Sequence, residues 1–172
     1  GCFNVFEMSV RAVLGQQITV KAASTLAARL VAVYGTQVQT GIEGLTHSFP
    51  APAAILALGE NISEHLGKLG IISARANTIY QLARVLADEK NDFGFCGNPE
   101  EEMQKLQAIR GIGSWTAQYI AMRAMGWPDA FLPTDAGIKK ALPDHTPKEL
   151  QVLSEAWRPW RSYATVNLWN TL

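Results

Sequence analysis

Cysteine is scarce: Cys2 and Cys96 are the only two in 172 residues, and they stand far apart. Two cysteines exclude a disulfide framework and a four-cysteine zinc or iron–sulfur site. No CxxC or HxxxH spacing supplements them, which argues against a metal-dependent redox enzyme. Net charge is also lacking, because 15 Lys+Arg balance 15 Asp+Glu. No general basic field therefore draws the chain to nucleic acid or to an anionic membrane, and any nucleic-acid site is local. No apolar run approaches the roughly 18 residues of a membrane span. The opening "GCFNVFEMSV" has neither the basic start nor the apolar centre of a signal peptide. These absences predict a cytoplasmic protein. The chain starts without Met and closes on "NLWNTL" with no polar tail, which predicts a segment of a longer protein. Missing, too, is any segment that alternates like a strand.

What is present is helical periodicity in a chain that is 48% hydrophobic and 17% charged, a balance that supports one or two cores. Val5, Met8, Ala12 and Val13 fall on one face, then Ala23, Leu26, Leu30 and Val33, before a stop at Gly35. Residues 36–50 hold Gly and Pro with few apolar positions and read as a surface connection, after which Pro52 opens a short helix through Leu58. Asn61 and Ser63 suit the start of another. The strongest amphipathic run is 72–89, with Ile72, Ala76, Ile79, Leu82, Ala83 and Leu86 inward and Arg75, Gln81, Arg84 and Asp88 largely outside that face. "NDFGFCGNP" breaks it. Pro99 and the acidic turn that follows open a helix running to Ile109. The fold class expected is all-α.

Within that string of helices, "LQAIRGIGSWTAQYIAMRAMG" reads as a helical hairpin: helix, tight turn at 110–113, and a second helix from Ser114 to about Met125. Gly111 and Gly113 are free to adopt positive φ and to let a ligand approach the backbone, and the free N–H groups of the second helix then form an anion site. The alternative is that both glycines only cap their helices. About twenty residues on, "FLPTDAGIKKAL" places Asp135 at the start of another helix. There it reads either as a plain N-cap or as a carboxylate held to face a developing cation.

Taken together, "IRGIGSWTAQY", "FLPTDAGIKKAL" and "AWRPWRSYATVNLW" resemble the helix-hairpin-helix superfamily of DNA glycosylases. The similarity is strongest to the bacterial 3-methyladenine glycosylases of the AlkA type, and it runs from "FEMSVRAVLGQQITVKAA" nearly to the end. The resemblance implies a two-lobed helical bundle with the active site in the cleft between lobes: residues 1–126 carrying the hairpin (103–126), and residues 127–172 carrying the catalytic Asp135. It also implies that the family's N-terminal β-rich domain is absent from this chain. Bifunctional members carry at the position of Trp115 a lysine that attacks the sugar and cleaves the strand. An indole there implies a monofunctional hydrolase in which Asp135 stabilises the oxocarbenium-like sugar and handles the attacking water. Trp115, Tyr119 and Trp169 become the base pocket, which suits a cationic alkylated purine; core packing is the alternative reading of all three.

Further expectations follow from the same resemblance. Backbone N–H groups of Gly111, Gly113 and Ser114, with help from Thr116, grip a phosphate of double-stranded DNA. Gln17 stands where the family places a wedge that fills the gap left by the flipped base, unless it is a plain surface glutamine. Ala136 stands where the family has a tyrosine, which thins one pocket wall. The carbonyls of Gln107, Ile109 and Ile112 match positions that hold a sodium or potassium ion in relatives, and no other cofactor is expected. The partner implied is duplex DNA containing alkylated bases, met by a monomer in the cytoplasm at the bacterial nucleoid. Two other classes compete: a non-catalytic helix-hairpin-helix DNA-binding module, and a structural helical domain in which glycines and Asp are only caps.

Overall fold

The computed structural model describes residues 2–87 and 98–172. Cys96, Asp88 and most of the segment read as the break after the long amphipathic helix lie outside the described residues. α1 (Val5–Leu14) starts where the Asn4 side chain accepts the Glu7 N–H at 2.8 Å, and it buries Phe6, Val10, Val13 and Leu14. α2 (Val20–Tyr34) starts at Thr19, whose hydroxyl accepts the Ala22 N–H at 3.2 Å, and ends at Gly35. Only Ala27 and Leu30 of α2 are buried, and Val33, expected on its inner face, is 57% exposed. α2 runs along the periphery: a narrow stripe meets α1, Tyr34 at the far end reaches His65, and Val33 falls outside both.

The surface connection after α2 contains a small antiparallel ladder that the sequence did not announce. β1 (Thr36–Gln37) pairs with β2 (His47–Ser48), Thr36 opposite Ser48 and Gln37 opposite His47. Two residues per strand leave no alternation to read. α3 (Pro52–Leu56) stops short of Leu58, a 3-10 turn follows at Gly59–Asn61, and α4 (Ile62–Gly67) leads to α5 (Ser73–Leu86).

α5 is the central strut, packed on α1, α3 and α4. Its buried face holds Ala76, Ile79, Leu82 and Ala83 as the periodicity predicts, and it also buries Thr78. Burying each of the larger aliphatic side chains stabilises the fold by about 1.5–3 kcal/mol. Ile72 does not join this face. It is 58% exposed, because it is the residue before the helix and its extended backbone (φ −63°, ψ 150°) carries its side chain off the spiral.

The second half of the chain comprises α6 (Pro99–Gln107), α7 (Ser114–Arg123), α8 (Ala136–Ala141), α9 (Pro147–Ser154), a 3-10 turn (Glu155–Trp157) and α10 (Arg161–Trp169). α6 packs on α7, α7 on α1, and α8 on α10. The larger hydrophobic core runs from Phe6 through to Leu132, and a smaller one gathers Phe131, Ile138 and Leu150 with Leu142, Trp157 and Leu168 around them. Trp169 packs against both cores, so the seam between them is where the candidate site lies. Among the described residues no helix is long and apolar enough to cross a membrane.

Candidate functional site

The two glycines of the hairpin do different work. Gly111 has φ +97°, a left-handed conformation, and a Cβ there would overlap the hydroxyl of Thr78. That hydroxyl lies 3.0 Å from the Arg110 carbonyl and 3.0 Å from the Ala74 carbonyl, tying the turn to α5. Gly113 corrects the expectation of positive φ at both positions: its φ is −90° and its ψ 178°, extended backbone open to any residue. A Cβ at Gly113 would meet nothing within 4 Å, and no side chain caps α7. The first-turn N–H groups of Ser114, Trp115 and Thr116 therefore lie under an open approach. Gly111 shapes the turn, and Gly113 leaves its mouth clear.

The turn is also braced from α1. The side-chain amide of Gln16 donates to the Gly111 carbonyl at 3.0 Å and to the Thr116 hydroxyl at 2.9 Å. Arg75 donates in turn to the Gln16 carbonyl. Thr116 is buried at 2% exposure, so its hydroxyl serves this brace and faces inward; only its backbone N–H belongs to the open end of α7. Gln17 is exposed and left-handed at φ +55°, projecting beside Gln16 at the end of α1. Sequence reasoning singled out Gln17 and missed Gln16, Thr78 and Arg75, whose roles are contacts across the fold.

The carbonyls considered for a monovalent cation are partly committed. Ile109 accepts the Ile112 N–H at 3.0 Å and keeps one lone pair, while among the described residues the carbonyls of Gln107 and Ile112 accept no hydrogen bond. Neutral oxygens with spare lone pairs at the end of a turn fit a sodium or potassium ion. Among the described residues no group of three His, Cys, Asp or Glu side chains forms a metal site.

Asp135 combines both readings that its position allowed. It is the N-cap of α8, its Oδ1 accepting the N–H groups of Gly137 at 2.8 Å and Ile138 at 3.1 Å. The indole of Trp169 donates to the same Oδ1 at 2.8 Å, and the indole of Trp115 donates to Oδ2 at 3.0 Å. Four neutral N–H groups thus orient a carboxylate that is 9% exposed. Oδ1 is saturated by three of them, while Oδ2 has one donor and keeps capacity for another partner. None of these donors is a cation, so the carboxylate's charge is not cancelled by the groups that orient it.

The aromatic side chains expected as a pocket do meet. Trp115 stacks on Tyr119 with centroids 5.2 Å apart and planes 15° apart, and Tyr119 lies 6.3 Å from Trp169 at a 42° tilt. Trp115 and Tyr119 share a face of α7 because they are four residues apart. Trp169 reaches them only because Gly137 has no side chain: a Cβ there would stand 2.6 Å from Trp169 Cδ1 and 2.8 Å from its Nε1. Ala136 beside it is exposed.

α10, which carries Trp169, is held at its start by buried polar contacts absent from the sequence reading. Arg161 pairs with Asp129 through Nε–Oδ1 at 2.7 Å and Nη2–Oδ2 at 2.9 Å, both side chains being under one-tenth exposed. Arg158 and Glu155 extend the pair into a network. The Ser162 hydroxyl accepts the Ala130 N–H at 3.0 Å and donates to the Trp127 carbonyl at 2.7 Å. The signal available was an arginine at the head of an aromatic helix and an aspartate in the otherwise apolar "WPDAF".

Known proteins are similar to this chain in sequence and, for a solved structure, in fold. The chain is 43% identical over 171 residues to the probable bifunctional transcriptional activator/DNA repair enzyme AlkA of Mycobacterium tuberculosis, a match covering 96% of this chain and 33% of that protein. It is 37% identical over 171 residues to DNA-3-methyladenine glycosylase 2 of Escherichia coli, covering 99% of this chain and 59% of that one. Its fold superposes on the 3-methyladenine DNA glycosylase of Archaeoglobus fulgidus with a TM-score of 0.84 at 25% identity, covering 98% of this chain and 58% of that one. The chain thus spans from a third to about three-fifths of the length of these relatives. The family described as HhH-GPD superfamily base excision DNA repair protein matches residues 10–161, which takes in the hairpin, Asp135 and the head of α10. By that match the chain belongs to the HhH-GPD superfamily of base excision DNA repair proteins.

Proposed function

We propose that the chain is the helical catalytic part of a monofunctional DNA glycosylase, which hydrolyses the N-glycosidic bond of alkylated bases of the 3-methyladenine and 7-methylguanine type in duplex DNA. The observation that carries this reading is the meeting of Trp115, Tyr119 and Trp169 at the Asp135 carboxylate. Position 115 supplies an indole and not an amine.

The chemistry follows from those groups. A purine alkylated at N3 or N7 carries positive charge, stacks on electron-rich rings, and leaves as a neutral base once extruded from the duplex. As the glycosidic bond lengthens, positive charge passes to the sugar, where the uncancelled Asp135 carboxylate attracts it. Water then bonds to the anomeric carbon and gives its proton to Asp135, whose Oδ2 has room for it. Without an amine at 115 no Schiff base forms, and the product is an abasic site in an intact strand.

The hairpin supplies the grip. Backbone N–H groups at Gly113, Ser114, Trp115 and Thr116 meet a phosphate through hydrogen bonds and the helix dipole. Gln17 enters the gap left by the extruded base. A sodium or potassium ion on the carbonyls of Gln107, Ile109 and Ile112 would offset phosphate charge without a basic side chain. The enzyme needs no further cofactor and acts as a monomer on cytoplasmic, nucleoid DNA.

The deciding experiment is release of free base from alkylated duplex DNA by wild type and by Asp135→Asn. The amide keeps shape and capping capacity and loses the charge, so base release falls by orders of magnitude while duplex affinity is kept. Equal loss of rate and affinity would refute the role of Asp135.

A further inference from the structure

α2 contributes little to the core, and one flank of it forms the wall of a groove. Lys21, Ala22, Thr25, Leu26 and Arg29 line it together with Gly70 and Arg75, around a space of about 510 Å³. Lys21, Arg29 and Arg75 bring three cations to the groove, and no carboxylate lines it. Their existing partners are neutral: Arg29 donates to the Leu69 carbonyl at 3.1 Å and Arg75 to the Gln16 carbonyl. Among the described residues the Lys21 ammonium makes no hydrogen bond or ion pair. In a chain of zero net charge this is a concentrated positive region, and both guanidinium groups keep free N–H donors for an anion.

The groove is joined to the hairpin through one residue. Arg75 holds the carbonyl of Gln16, and the side chain of Gln16 holds Gly111 and Thr116. Gln17, next in the chain after Gln16, is exposed and left-handed. A ligand that offers one anion to the open end of α7 and another to the cationic groove joined to it through Gln16 is an extended polyanion. A nucleic-acid backbone has that form, with a phosphate every 3.4 Å or so along each strand.

We propose that the groove lined by Lys21, Arg29 and Arg75 is a second phosphate site, which takes a backbone phosphate of the same duplex that the hairpin grips. This rests on the reading of the chain as a duplex-binding enzyme. The division of labour is physical: the hairpin binds through backbone dipoles, and the groove supplies the counterion-releasing contacts.

The test measures duplex affinity against salt concentration for wild type, Lys21→Ala, Lys21→Glu and Arg29→Gln, with Lys148→Ala on α9 as a control. Loss of one such contact lowers the slope of log affinity against log salt by about 0.9. Lys21→Ala is expected to show that loss equally for damaged and undamaged duplexes, Lys21→Glu a larger loss, and Lys148→Ala none. Phosphate ethylation interference is expected to show a phosphate whose modification hinders wild type and no longer matters to Lys21→Ala, while Gly113→Val retains that sensitivity. Lys21 is exposed on a helix surface, so these variants stay folded even where Arg29→Gln loosens the turn at Leu69. Unchanged slopes in both Lys21 variants, with wild type binding DNA, would overturn the groove and leave the hairpin reading intact. Failure of wild type to bind duplex at all would overturn the function itself. Inorganic phosphate titrated into wild type, followed by the amide signals of α2, reads the last alternative: saturation as tight as that by duplex would overturn the groove as a DNA site and make it a site for a free anion.

Discussion

Gly137→Ala tests whether the approach of Trp169 to Asp135 matters. The added Cβ would stand 2.6 Å from Trp169 Cδ1, 2.8 Å from Nε1 and 3.1 Å from Asp135 Oδ1, where ordinary contact begins at 3.4 Å. The indole is rigid, so Cδ1 cannot retreat by those 0.8 Å without carrying Nε1 with it. The 2.8 Å bond to Oδ1 then lengthens and loses alignment. A hydrogen bond to a charged group is worth about 1.5–3 kcal/mol, so weakening through to full loss spans about 1–3 kcal/mol. If that bond orients Asp135 in the transition state, single-turnover base release falls about five- to 160-fold. Stability changes less, because alanine in place of glycine in a helix returns about 0.8–1 kcal/mol. Affinity for undamaged duplex stays at the wild-type value. The structural readout is the indole N–H resonance of Trp169, assigned with Trp169→Phe, which is expected to move in Gly137→Ala and in Asp135→Asn alike. A Gly137→Ala enzyme with the wild-type rate and an unshifted Trp169 signal would refute the reasoning.

Gly113→Val keeps the fold, since φ at that residue is −90° and the space is open, but it covers the mouth of the turn. Duplex affinity drops alike for every sequence while the salt slope stays near wild type, and unchanged affinity in the folded variant would remove the hairpin as the grip. Gly111→Ala instead lowers stability by about 1–3 kcal/mol through a strained backbone and overlap with Thr78, read as a fall in melting temperature. Arg161→Ala leaves the buried Asp129 with only the half-exposed Arg158 as a charged partner, so the loss stays below the roughly 3–5 kcal/mol of a fully unpaired buried charge, measurable by denaturant unfolding. The N–H and hydroxyl of Thr146 hold the Glu149 carboxyl below its ordinary range. The capping box therefore contributes fully above the ordinary carboxylate range and is lost as pH falls through the lowered value, which amide exchange in the first turn of α9 would follow.

Much of the molecule was legible in residue order because the physics there is local. Helix starts and stops follow from Gly35, Pro52, Pro99 and Asp135, whose backbone preferences and caps act within a turn. The inner face of α5 follows from a period of 3.6 residues. The same locality explains the failures: Ile72 and Val33 fit the pattern but fall where no neighbour covers them, and a ladder of two-residue strands leaves no period at all.

By itself the sequence determined the chemistry on offer: a glycine turn before a helix, a carboxylate at a helix start about twenty residues later, aromatic residues at helical spacing, and no amine at position 115. Residue types and short spacings carry that information, since they set charge, nucleophilicity and turn geometry. Only the tertiary structure decided how those parts meet. It assigned the left-handed turn to Gly111 alone, recruited Gln16 from about a hundred residues away as the brace of the hairpin, and anchored α10 through Arg161 and Asp129. It also made Gly137 the clearance through which Trp169 reaches Asp135. These are contacts between segments distant in the chain, and their geometry exists only once both cores have packed.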